Sequence, residues 1–168
     1  MRLRVNTLHE HNAHEHTHNH HFKYFLMANA DILYPCLAMI GITAAVWLRL
    51  FFDRIGEMRA RRIRAQDIST KRQSAEILHK VNASDNFSNL FEVPVLFYVL
   101  CILIFTTQLV TPFLLGSAWA FVALRGLHSL IHCTYNQVMQ RFIAYLLSTL
   151  ILFAMWGIFA FQLLHKQA

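Results

Sequence analysis

The sequence is short of charge. Asp, Glu, Lys and Arg together make up 14% of the 168 residues, against about 25% in an ordinary globular domain. With 56% hydrophobic residues and a positive mean hydropathy, a soluble domain is excluded. Cysteine is scarce too: Cys36, Cys101 and Cys133 are odd in number and widely spaced. They form neither a disulfide framework nor a zinc motif and read as small apolar packing residues. No internal repeat and no separate soluble unit is visible. The formal net charge of +6 does not point to nucleic acid, because the cations lie mainly between apolar runs. There they act as topology signals and as contacts to anionic lipid headgroups.

What the chain has instead is long uncharged runs, and about 20 apolar residues suffice for a helix to cross a bilayer. Four such spans are expected, at about 32–52, 89–110, 113–131 and 142–164, within a membrane domain covering 28–168. Asp31 is expected to cap the first, with Pro35 tolerated in its opening turns. Residues 1–27 form a polar extension holding seven of the eleven histidines; it resembles neither a signal peptide nor a span and is expected to be disordered. Such tracts can chelate metal, but the irregular spacing and missing partner argue against it, and no metal site is assigned. Met27, just before the first apolar run, is a candidate start residue.

The connector at 53–88 carries the excess of Lys and Arg and is expected to be cytoplasmic. Polar groups of all four spans then fall at one depth: Arg49 and Arg54, Asn89 and Glu92, Arg125, His128 and His132, and Arg141. An intramembrane ion costs about 2.5–3.5 kcal/mol on insertion scales, so such residues face a bundle interior, a partner or a watery cavity. Arg125, His128 and His132 stand at i, i+3 and i+7 and make one helical stripe, which Ser129 and Asn136 extend. Glu92 is placed to pair with Arg125.

The motif "NLFEVP" opening the second of four spans, followed by Arg125, His132 and Arg141 around the end of the third, resembles the MAPEG family, the membrane-associated proteins in eicosanoid and glutathione metabolism. The stretches "SDNFSNLFEVPVLFY" and "LRGLHSLIH" are closest in style to its bacterial branch. The resemblance covers about residues 28–166. It implies an all-α integral membrane four-helix bundle that assembles as a homotrimer in a bacterial inner membrane. It further implies that glutathione binds between neighbouring subunits near the cytoplasmic face. On that basis Asn89, Glu92, Arg125, His128 and His132 would hold the tripeptide. Arg141 would stand by its thiol as the catalytic residue. Two departures stand out: Asp85 lies where family enzymes usually carry an arginine, and His132 replaces a tyrosine.

The chemistry suits those residues. Glutathione is an anion that Arg and His clusters can bind, and a nearby guanidinium favours thiolate over thiol. The implied activity is a glutathione-dependent transferase or peroxidase acting on a lipophilic electrophile drawn from the bilayer. A second class of reading stays open: a non-enzymatic membrane protein whose polar cluster serves helix docking and oligomer assembly. Transport of metal or protons is disfavoured, since the opposite leaflet offers no polar path.

Overall fold

The computed structural model describes residues 29–79 and 81–166; the expectations for the histidine tract and for Met27 lie outside the described residues. These form helices with no strand among them: α1 (Leu33–Arg61), a short 3-10 turn (Ala65–Ile68), α2 (Lys71–Ile77), α3 (Asn82–Asn89), α4 (Val93–Thr107), α5 (Pro112–Cys133) and α6 (Val138–Lys166). Four stretches are long and apolar enough to cross a membrane: Leu33–Arg61, Asn82–Thr107, Pro112–Cys133 and Val138–Lys166.

The boundaries differ from expectation for local reasons. Asp31 does not cap α1; Ile32 holds that position in helical backbone geometry, without a side-chain cap. The preceding residues are already turned, so the Asp31 carbonyl accepts from Tyr34 N–H at 3.2 Å while its side chain makes no cap. At its far end α1 continues past the apolar run to Arg61, about 43 Å in all at 1.5 Å per residue. The polar extension is supported at i, i+4 by Arg49–Asp53 (2.8 Å) and Arg61–Glu57 (2.7 Å).

The second span is broken rather than straight. Pro94 lacks an amide proton and its ring would clash with the carbonyl four residues back, so a continuous helix cannot run through Leu90. The chain turns at residues 90–92, and α4 starts with Pro94 in its first turn. Three non-glycine residues lie in the left-handed region: Arg62 (φ 55°) and Gln108 (φ 58°) as the C-caps of α1 and α4, and Asn136 (φ 48°) in the turn between α5 and α6. Asparagine tolerates that conformation best of the three. Thr111 caps α5 by accepting from Leu114 N–H at 3.2 Å, with Pro112 at the first helical position.

Around the bundle, α5 packs most extensively on α6 and also on α1, while α4 lies against α1 and α6. Phe97 and Phe121, both fully buried, stack at 4.4 Å between ring centroids in the middle of it. Met39, Leu100, Ile104, Leu114, Leu152 and Met155 complete that layer. Lipid is as apolar as these side chains, so close packing and dispersion hold the layer together, not escape from water. The closest small-residue approach is at Gly126, where an added Cβ would meet Ile42 Cδ1 at 3.4 Å. Gly41, by contrast, has open space around it.

Only 22–44% of each span's most apolar window is buried within the single chain. Large side chains such as Leu37, Trp47, Ile102, Leu130 and Phe153 are exposed. In water this would be untenable; in a bilayer it is the lipid-facing surface.

The connector is folded against the end of α1. Glu57, buried at 6% exposure, accepts from Arg61 at 2.7 Å and from the His79 amide at 2.8 Å, and Arg61 also donates to the Ile77 carbonyl at 2.6 Å. In the 3-10 turn, Arg64 beside Asp67 holds that carboxyl below its usual range.

Candidate functional site

The stripe on α5 faces the interior of the bundle. Arg125 is 0% exposed, and His128 and His132 are each 3% exposed. Helical spacing alone places them on one face; packing of α6 and α3 over that face buries them.

Around these residues runs a hydrogen-bonded network drawn from α3, α5, α6 and the turn between the last two. Arg141, half-buried in the first turn of α6, donates from one terminal nitrogen to His132 Nε2 (2.9 Å) and to Asn136 Oδ1 (2.7 Å). Both protons of that nitrogen are thereby used. Arginine has no lone pair to offer, so His132 accepts on Nε2 and carries its proton on Nδ1. Asn136 Nδ2 donates onward to Asn82 Oδ1 at 3.0 Å. The Arg141 carbonyl lies 2.9 Å from His128 Nδ1; a carbonyl only accepts, so His128 donates there. One turn deeper, Ser129 donates to Asn86 Oδ1 at 3.3 Å, and Asn86 Nδ2 reaches Cys133 Sγ at 3.4 Å.

The Arg125 guanidinium has no such partners. Its three nitrogens are buried and make no hydrogen bond among the described residues. It lies instead over the Tyr145 ring, 4.6 Å from the centroid, and 5.7 Å from that of Phe121. Tyr145 also faces the His128 ring at 5.8 Å. His128 Nε2 is likewise buried without a partner. A buried charge normally finds a counter-charge or strong acceptors; here aromatic faces stand against it, and the Tyr145 hydroxyl and the Glu92 carboxylate act on it without a direct ion pair.

The expected residues divide into two groups. Arg125, His128, His132 and Arg141 come together on α5 and α6. Asn89 and Glu92 sit at the break between α3 and α4, half-buried and exposed respectively. The expected Glu92–Arg125 pair does not form: no ion pair joins them among the described residues. The break set by Pro94 puts Glu92 ahead of α4 and on the outside, while Arg125 points inward. Arg49 is likewise held outside the network by Asp53, so three segments contribute to it, not four spans.

Three contributors escaped the sequence reading: Asn82, Asn86 and Tyr145. Asn86 is 0% exposed, and the available signal was the 4-then-3 spacing of Asn82, Asn86 and Asn89, one polar face leading into an apolar run. Tyr145 follows Arg141 by one helical turn, but an aromatic residue within an apolar run carries no distinguishing mark.

Beside the break, an apolar groove of about 530 Å³ runs between α1 and the second span, lined by Ile40, Thr43, Trp47, Phe91, Val95 and Tyr98 among others. It opens to the lipid-facing side.

Neither a curated protein nor a solved structure matches the chain. The MAPEG family profile matches residues 32–161, which take in the first three membrane-spanning stretches, most of the fourth and the whole polar network. Four apolar helices with one inward-facing cationic cluster, covered over most of their length by that profile, make this chain an integral multi-pass membrane protein of the MAPEG family.

Proposed function

We propose that the protein is a glutathione-dependent transferase or peroxidase acting on lipophilic electrophiles, working as a homotrimer with its connector in the cytoplasm of a bacterial cell. The observation that carries this reading is the state of Arg141. One terminal nitrogen is anchored by His132 and Asn136, while its other nitrogens make no hydrogen bond among the described residues. A guanidinium fixed at one corner with donors to spare is suited to an anion, and a thiolate is the anion the family chemistry offers. Such a cation lowers the thiol's pKa from its free value of about 8.5.

The exposed Glu92 fits this reading. Facing out of its own bundle, its carboxylate is available to the tripeptide's ammonium at a boundary between subunits, where Asn89 can add an amide contact. The groove beside it would admit an apolar substrate directly from the bilayer, and closing the boundary would exclude water from the thiolate. The roles follow: Arg141 stabilises the sulfur, Arg125 and His128 set the positive potential, and His132 aims Arg141.

The test uses purified protein in detergent. Reduced glutathione should raise its melting temperature and support conjugation of a lipophilic chloroarene or reduction of a lipid hydroperoxide. Arg141→Ala should abolish turnover, by about 10² or more if it stabilises the reacting charge. Absence of both binding and turnover in the wild-type protein would refute the proposal.

The second reading, docking and assembly, is favoured by the bonds Asn82–Asn136 (3.0 Å) and Ser129–Asn86 (3.3 Å), which tie α3 to the rest of the bundle with no ligand needed. Under it, Arg141→Ala would weaken the assembled protein while reduced glutathione left its melting temperature unchanged.

A further inference from the structure

A second polar cavity lies where α1 leaves its apolar run; among the described residues its lining makes no hydrogen bond to the cationic network, though the Asp85 charge acts on His132. Its volume is about 240 Å³, several times the roughly 30 Å³ of a single water molecule. Arg54 of α1, Ser74 of α2, and Ser84, Asp85 and Ser88 of α3 line it, together with the apolar Leu50 and Leu78.

Its charges are opposite and do not pair with each other. Arg54 Nε is buried with no hydrogen-bond partner, and no ion pair joins Arg54 to Asp85 among the described residues. A cation and an anion on the walls of one small cavity, neither satisfied by the other, fit a guest that carries both signs. The hydroxyls sharpen the choice. Ser74 spends its proton on the Ile68 carbonyl (3.1 Å) and Ser88 on the Ser84 carbonyl (3.3 Å). Each therefore presents lone pairs to the cavity, which suit an N–H donor rather than an acceptor. The Ser84 hydroxyl makes no hydrogen bond among the described residues and can join Arg54 on the anionic side.

Depth decides among zwitterions. Leu50 belongs to the apolar run of α1 and Arg54 lies one turn beyond it, so the cavity sits at the level of lipid headgroups. We infer that this cavity binds a headgroup carrying a phosphate and a primary ammonium. Arg54 and Ser84 take the phosphate; Asp85, Ser74 and Ser88 accept from the ammonium. The acid at position 85 is essential to this chemistry, because a cation there would repel the ammonium. The inference does not depend on the thiol chemistry proposed above.

The full-length protein is delipidated and returned to nanodiscs of matched acyl chains. The discs contain phosphatidylcholine alone or with phosphatidylethanolamine, its N-methyl and N,N-dimethyl forms, or phosphatidylglycerol. Phosphatidylethanolamine should raise the melting temperature over phosphatidylcholine by on the order of 5 °C. The gain should shrink with each methyl that removes an N–H, and phosphatidylglycerol should not reproduce it. Arg54→Gln and Asp85→Asn should each remove the difference while melting as wild type does in phosphatidylcholine. If either variant fails to fold, the methyl series in the wild-type protein decides alone. Soluble O-phosphoethanolamine separates the sources: stabilisation by lipid only assigns the site to the membrane, and stabilisation by the free compound assigns it to a soluble phosphoamine, the same recognition in either case. Equal stability across all the lipids, or a full effect from phosphatidylglycerol, would overturn the inference.

Discussion

Arg125→Met tests what a fully buried guanidinium without hydrogen-bond partners does to this protein. The substitution keeps an unbranched side chain and removes the charge. An arginine at such depth costs about 2.5–3.5 kcal/mol on insertion scales. The Tyr145 ring, 4.6 Å from the guanidinium carbon, returns about 1–2 kcal/mol when desolvated. Phe121, at 5.7 Å, lies near the outer edge of the useful range and adds less. The balance leaves the unliganded protein more stable with methionine, by about 1 kcal/mol. That corresponds to about 2–4 °C in melting temperature for a chain of this length. Replacing buried ions by packed apolar groups has this sign in other proteins. The assay is equilibrium unfolding in mixed micelles, without thiol, for wild type, Arg125→Met, Tyr145→Leu and the double variant. The cycle should report a favourable coupling of about 1–2 kcal/mol between Arg125 and Tyr145. Stabilisation by reduced glutathione should be lost in Arg125→Met. A loss of 2 kcal/mol or more in unliganded Arg125→Met would refute the reasoning, because the charge would then have a counter-group that the aromatic contacts do not supply.

Three further outcomes follow from separate contacts. Asn136 combines a left-handed backbone (φ 48°) with two side-chain bonds. Asn136→Gly keeps the backbone and loses the bonds, whereas Asn136→Ala loses both, so alanine should be the less stable by about 1 kcal/mol; equal stabilities would show that the turn is not strained. Gly126→Ala meets Ile42 Cδ1 at an ordinary contact distance of 3.4 Å, so helix propensity should dominate and stability rise by up to about 1 kcal/mol; a fall would mean that α1 and α5 are packed too tightly for a methyl. Glu57→Ala leaves Arg61 and the His79 amide without their shared acceptor. It should cost about 1–3 kcal/mol and speed proteolysis within 62–81, and unchanged cleavage would show that Glu57 does not hold the connector.

The four spans were legible in the sequence because crossing a bilayer imposes a one-dimensional rule: enough consecutive apolar residues for a hydrogen-bonded helix. The stripe of Arg125, His128 and His132 was legible for the same reason, since helical spacing is a property of the chain alone. The family followed from residues at fixed intervals along those spans. Tertiary structure decided the partnerships. Glu92 and Arg125 carry opposite charges and look paired on paper, yet the break imposed by Pro94 turns one outward while α5 turns the other inward. Asn86 drew no reading from the sequence, yet it lies fully buried against Ser129 and Cys133. Arg54 and Asp85 stand 31 positions apart, and only the folding of the connector onto α1 makes them walls of one cavity. Local periodicity is set by backbone geometry and survives in any context, whereas contact between helices depends on rotation about each axis and on where a chain bends. Those are settled jointly by all the surfaces that pack together.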